Sequence, residues 1–129
     1  MAAGEEGREH LPKKIYVMAD YGCEYGHDEH GNSLSITASF PGITGLPELE
    51  QRLEKWSVWF SASAYDERGF PWDAFNEEGM KLAQELADLM VGTDVAVSYR
   101  RPYEDASRRD MEEIVVRSGR AQKRPETQE

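Results

Sequence analysis

A single cysteine, Cys23, stands among 129 residues, and no long apolar run accompanies it. A lone cysteine excludes an internal disulfide framework and fits a reducing compartment, so a cytoplasmic setting is expected. No stretch approaches the roughly 18 apolar residues of a membrane-spanning helix, and no membrane role is expected. The opening residues 1–10 hold no apolar h-region and do not read as a signal peptide. Glycine-rich phosphate loops, a G-x-G-x-x-G turn, a nucleophile elbow and an H-E-x-x-H pair are all missing. The reading is therefore not an enzyme, with no cofactor.

Basic residues are also scarce. Fifteen Lys and Arg face 25 Asp and Glu, which leaves a net charge of −10. The imbalance is not in the tails. Residues 45–94 carry 4 basic and 11 acidic groups, a net −7, whereas residues 95–118 balance at 5 and 5. Such a surface repels nucleic acid and anionic membranes and steers basic proteins toward itself. It also serves plain solubility.

What the sequence does contain is enough apolar matter for one core, 39% of residues. Residues 1–12 and 119–129 lack periodic apolar positions and read as flexible tails around a single domain, 13–118. Residues 14–21 (Lys-Ile-Tyr-Val-Met-Ala-Asp-Tyr) are apolar on both faces and β-rich, which predicts a central strand buried on both sides. A polar loop over 22–32 follows. Leu34, Ile36, Ala38 and Phe40 then alternate with hydroxyl residues, the cleanest period-two pattern in the chain, and predict a second strand over 33–40.

Two helices come next. Leu46, Leu49, Leu53, Trp56 and Phe60 form one apolar stripe, with Pro47 near its start and Glu48 spaced to pair with Arg52. Phe75, Gly79, Leu82, Leu86 and Leu89 form another, with Asp73 as the expected N-cap and Gly92 as the expected terminator. Gly79 on this buried stripe implies that another element approaches closely there. Residues 94–99 and 113–117 read as two further strands. The order ββααββ predicts an α+β fold, a two-layer sandwich with a helical pair on a small, mostly antiparallel sheet.

The residues Lys14-Ile-Tyr-Val-Met-Ala-Asp-Tyr-Gly-Cys23, then Leu49, Leu53 and Trp56, then Phe75, Glu78-Gly79, Leu82-Ala83 and Leu86 before a β-rich end, resemble small acidic bacterial proteins of the immunity type, encoded beside secreted toxins. The resemblance spans residues 14–99 and rests mostly on core positions. It implies a fold and an association with toxins, and it carries over no catalytic residue. The 34–40 strand and the arginine-rich stretch beyond Tyr99 have no counterpart in that pattern.

Three groups of residues are candidates for function. Tyr65, Asp66, Glu67, Phe70, Trp72 and Asp73 interleave aromatic and acidic side chains between the helices, a pattern suited to binding a basic protein. The opposing reading has Phe70 and Trp72 folding back to plug the edge of the sandwich. Cys23, His27 and His30 have metal-ligand types, yet a single eight-residue run would have to wrap the ion alone, so a hydrated, metal-free loop is expected. Arg100-Arg101 and Arg108-Arg109, with Tyr99 and Tyr103, would suit nucleic acid, but Glu104, Asp105 and Asp110 favour local ion pairs instead. These readings converge on a non-enzymatic protein-binding domain, an immunity or inhibitor protein neutralising a basic partner such as a nuclease toxin. The alternatives are a small metal-dependent or hydrolytic enzyme using the 20–30 loop, and a structural oligomeric domain.

Overall fold

Ile15, Val17 and Ala19 alternate along the first strand, β1 (Lys14–Asp20), and all three are sealed from solvent. β1 lies inside a four-stranded sheet of order β2-β1-β3-β4, formed with β2 (Glu24–Asp28), β3 (Ala96–Tyr99) and β4 (Ile114–Val116). The sheet is mixed: β1 pairs antiparallel with β2 but parallel with β3, and β3 pairs antiparallel with β4. Parallel neighbours need a long crossover between them. Here β2 and three helices fill it: α1 (Ile36–Ser39), α2 (Leu46–Ser63) and α3 (Trp72–Leu89). This is a computed structural model, and it describes residues 11–20, 22, 24–63, 70–102, 105–108 and 112–118.

Both long helices follow their apolar stripes. Leu46, Leu49, Leu53, Trp56 and Phe60 of α2 are buried, as are Phe75, Gly79, Leu82 and Leu86 of α3. α2 lies over β1 and β2, and α3 over β3 and β4, so one face of the sheet supplies the floor of the core. Each such Leu or Phe side chain contributes about 1.5–3 kcal/mol by leaving water. The Trp56 ring stacks on Phe75 at 4.7 Å and its indole N–H donates to the Phe75 carbonyl at 3.0 Å, locking the two helices together.

Several expectations change. The 33–40 segment is not a strand. Ser33 makes a single bridge to His27, and the chain then turns into α1 with Ser39 N–H donating to Ser35 O and Phe40 N–H to Ile36 O. Side-chain bonds decide this. Ser35 Oγ accepts from Ala38 N–H, and Glu50 accepts from Ser35 Oγ and Thr37 N–H, so the backbone finds partners without a neighbouring strand. The second strand instead falls at Glu24–Asp28, inside the segment read as a loop. Gly26 fits there because a Cβ would stand 2.7 Å from the Tyr16 carbonyl oxygen.

β1 is not buried on both sides throughout, since Lys14, Tyr16 and Asp20 are only partly covered. α3 starts at Trp72 with Pro71 as its cap; Asp73 sits in the first turn, still at the positive end of the helix dipole. The helix ends at Leu89 with Met90 as C-cap, ahead of Gly92. Cys23, residues 1–10 and residues 119–129 lie outside the described residues.

Candidate functional site

The loop expected to bind a partner is only partly described. Tyr65, Asp66 and Glu67 lie outside the described residues. Phe70 is 9% exposed and belongs to the core. Its ring meets Trp72 at 4.5 Å and Phe75 at 5.3 Å, both edge-on, and Trp59 at 5.7 Å. Trp72 is half-buried against Phe60 and Phe75. Phe60 lies near the end of α2 and Phe75 near the start of α3, and where the chain passes from one helix to the other Trp72 packs on both rings and Phe70 on Phe75. Asp73 alone of the described trio stands in solvent.

His27 and His30 stand in different surroundings. His27 is half-buried and its ring stacks on Tyr16 at 5.1 Å. Burial, helped by the Arg100 cation, holds its pKa below the ordinary histidine value. His30 is largely exposed, with Nε2 3.7 Å from Glu29 Oε2. Cys23 is not described, and among the described residues no three His, Cys, Asp or Glu side chains are grouped to hold a metal ion.

Of the two basic pairs, Arg101 sits in ion pairs, and Arg109 lies outside the described residues. Arg101 Nη1 binds both oxygens of Glu112 at 3.0 and 3.2 Å, and Arg100 Nε donates to the Glu112 carbonyl. On the open face of the sheet, Glu113 accepts from Lys14 Nζ at 2.5 Å and from Tyr16 and Ser98 hydroxyls at 3.1 Å each. Lys14 holds the Glu113 carboxyl below its usual range.

A different surface gathers the acidity, the outer seam between α2 and α3. Arg52 of α2 reaches across to Glu85 of α3 with two bonds, Nη1–Oε1 2.6 Å and Nη2–Oε2 2.7 Å. The expected pairing of Arg52 with Glu48 does not form. On one side of this bridge lies a groove of about 320 Å³, floored by Leu49 and Leu89 and rimmed by Glu48, Glu85 and Asp88. On the other, Trp56 and Trp59 line a second groove of about 270 Å³ beside Lys55 and Glu78.

The seam was missed in the sequence, although a signal for it exists. Positions 48, 52, 55 and 59 recur at three and four residues along α2, as do 78, 81, 85 and 88 along α3. These positions flank the buried stripes at their edges, and all but Trp59 are charged. Glu85 and Asp88 approach the negative end of α3, whose last turn has no basic residue. A carboxylate placed there works against the helix dipole by about 0.3–1 kcal/mol. Chemically, the first groove sets carboxylates beside an aliphatic floor, an arrangement suited to cationic side chains with apolar stems, whereas the second sets Arg52 and Lys55 against the single carboxylate of Glu78 beside its two tryptophans. Comparison with models of protein families, with curated proteins and with solved structures finds no match to this chain.

Proposed function

We propose that the domain is a cytoplasmic, non-enzymatic binding protein of the immunity or inhibitor type that neutralises a basic partner such as a nuclease toxin. In the α+β fold the two long helices cover one face of the sheet, and acidic side chains such as Glu48, Glu54, Asp73 and Glu77 stand exposed on them. The observation carrying this reading is the α2–α3 seam, where Glu48, Glu85 and Asp88 border a groove floored by Leu49 and Leu89. A nuclease binds phosphates through clustered cations. The seam's carboxylates would occupy those cations and the helical pair would cover the substrate path, with long-range charge raising the association rate.

The test is growth. Co-expression with a basic nuclease encoded beside this chain is expected to rescue cells, and the complex to form more slowly as salt rises. A Glu48→Lys, Glu78→Lys, Glu85→Lys variant that still folds is expected to lose the rescue. The absence of any such neighbouring nuclease, or undiminished rescue by the variant, sinks the reading.

A further inference from the structure

We infer that the outer edge of β4 is a docking edge for a second copy of this chain, which adds its own β4 antiparallel and centred on Val115. The two sheets then continue as one. This goes beyond the acidic helical face and does not depend on it.

The inner strands fix where the backbone groups of β4 point. Ala96 N–H donates to Lys13 O and Arg100 N–H to Val17 O, so the even-numbered residues of β3 turn their amides toward β1. Val97 and Tyr99 therefore bond to Val116 and Ile114, and the Val115 amide and carbonyl point away from the sheet. Gln84 Nε2 caps the outward carbonyl of Arg117 at 2.6 Å, but Val115 has no such cap among the described residues. Its side chain is 59% exposed, more than any other large apolar residue described. Edge strands kept apart from partners usually carry a lysine, a proline or a bulge. Ile114, Val115 and Val116 carry none.

Three residues of backbone hold a partner poorly, so the occupant must be one whose side chains match. A two-fold axis at Val115 sets Ile114 against Val116 of the second copy on the helix-covered face, and Glu113 against Arg117 of the second copy on the open face. Sliding the register by two residues loses that charge match. Arg117 is exposed and has no ion pair among the described residues. Glu113 Oε1 accepts one bond, from Tyr16, and keeps a lone pair open, because Lys14 and Ser98 bind Oε2. The strand is thus complementary to itself, which selects a second copy over an unrelated peptide. Local charge does not oppose the approach, since residues 95–118 balance at 5 and 5.

The experiment is sedimentation equilibrium of the full chain, paired with amide hydrogen exchange by NMR in dilute and concentrated samples. A reversible species of twice the 14.7 kDa chain mass is expected to grow with concentration. The Val115 amide is expected to exchange freely when dilute and slowly when concentrated, whereas Ile114 and Val116, bonded to β3, stay slow in both. Arg117→Glu sets like charges opposite one another twice per dimer and is expected to weaken association at least about fivefold. Lys55→Glu makes the same change in net charge on α2, over β1 and β2, and leaves association unaltered. A chain that keeps its single mass into the millimolar range overturns the inference. So does a dimer in which the Val115 amide stays fast, or which both variants weaken alike, since another surface then joins the copies. Should Arg117→Glu fail to fold, the exchange pattern of the parent chain still decides.

Discussion

Gly79 of α3 lies so close beneath Tyr99 of β3 that a methyl group on its α-carbon would stand 2.5 Å from Tyr99 Cε1 and 2.6 Å from Trp56 Cζ2. Both rings are buried, and the Tyr99 hydroxyl is bonded to Asn76 Oδ1 at 2.5 Å, so neither can swing aside. Gly79→Ala gains about 1 kcal/mol of helix propensity. Overpacking outweighs this, and a net loss of about 1–2 kcal/mol is expected. Denaturant melts with an unchanged or raised midpoint would show that helix and sheet can part at no cost.

The aromatic plug makes a second contrast. Phe70→Ala is expected to cost about 3 kcal/mol by opening a cavity against Phe75 and Trp59. Trp72→Ala should cost less, because part of that ring is already in water. Asp73→Lys should stay within about 1 kcal/mol, the scale of a dipole effect at the first turn. Thermal melts of the three variants check this order. A Phe70→Ala protein as stable as the parent would restore Phe70 as a candidate binding anchor.

Tyr25 ties α1 to the body of the protein. Its hydroxyl accepts from the buried Ile36 N–H at 3.0 Å and donates to the Glu50 carboxylate. Burial first, and then the neighbouring Glu50, push this phenol far above its ordinary range, so it stays protonated and able to donate. Tyr25→Phe strands the Ile36 amide, at a cost of about 1–3 kcal/mol. Hydrogen exchange over residues 36–40 is expected to quicken along with the lower melting point; unaltered exchange there would contradict the role given to the hydroxyl.

His27 sets a pH window. Its pKa is depressed by burial and by Arg100, against the opposite pull of Asp28, Asp20 and Glu24. The unfolded chain therefore takes up the proton first. Stability is full above the unfolded value of about 6.5 and declines as pH falls from there toward the folded value. Asp28, Glu29, Glu50 and Glu113, all held low, add their losses only below about pH 4.5. Urea melts between pH 7.5 and 5 are expected to show a decline that His27→Phe, which keeps a ring against Tyr16, removes. The same slope in both proteins would place the titration elsewhere.

Local pattern was enough for the two long helices and for the close approach at Gly79. Stripes such as Leu46 to Phe60 can be buried in only one way by a 3.6-residue period, and a glycine on such a stripe leaves room for a neighbour. The strands at Ala96–Tyr99 and Ile114–Val116 were legible for the same reason, since their β-branched and aromatic residues suit a pleated, half-covered surface. The acidity of residues 45–94 was readable too, although not its arrangement.

Tertiary structure decided wherever a partner from far along the chain had to be known. The alternation over 33–40 favoured a strand, but Glu50 and Tyr25 supply hydrogen bonds that stabilise a helical turn, and neither is visible from the segment itself. Residues 24–28 became a strand because β1 offered an open edge and Gly26 let the backbones meet. Arg52 chose Glu85, 33 residues away, over Glu48 on its own helix. That choice created the seam, because two helices packed side by side bring their polar edges together, and a side chain at that edge pairs across the gap instead of along its own turn.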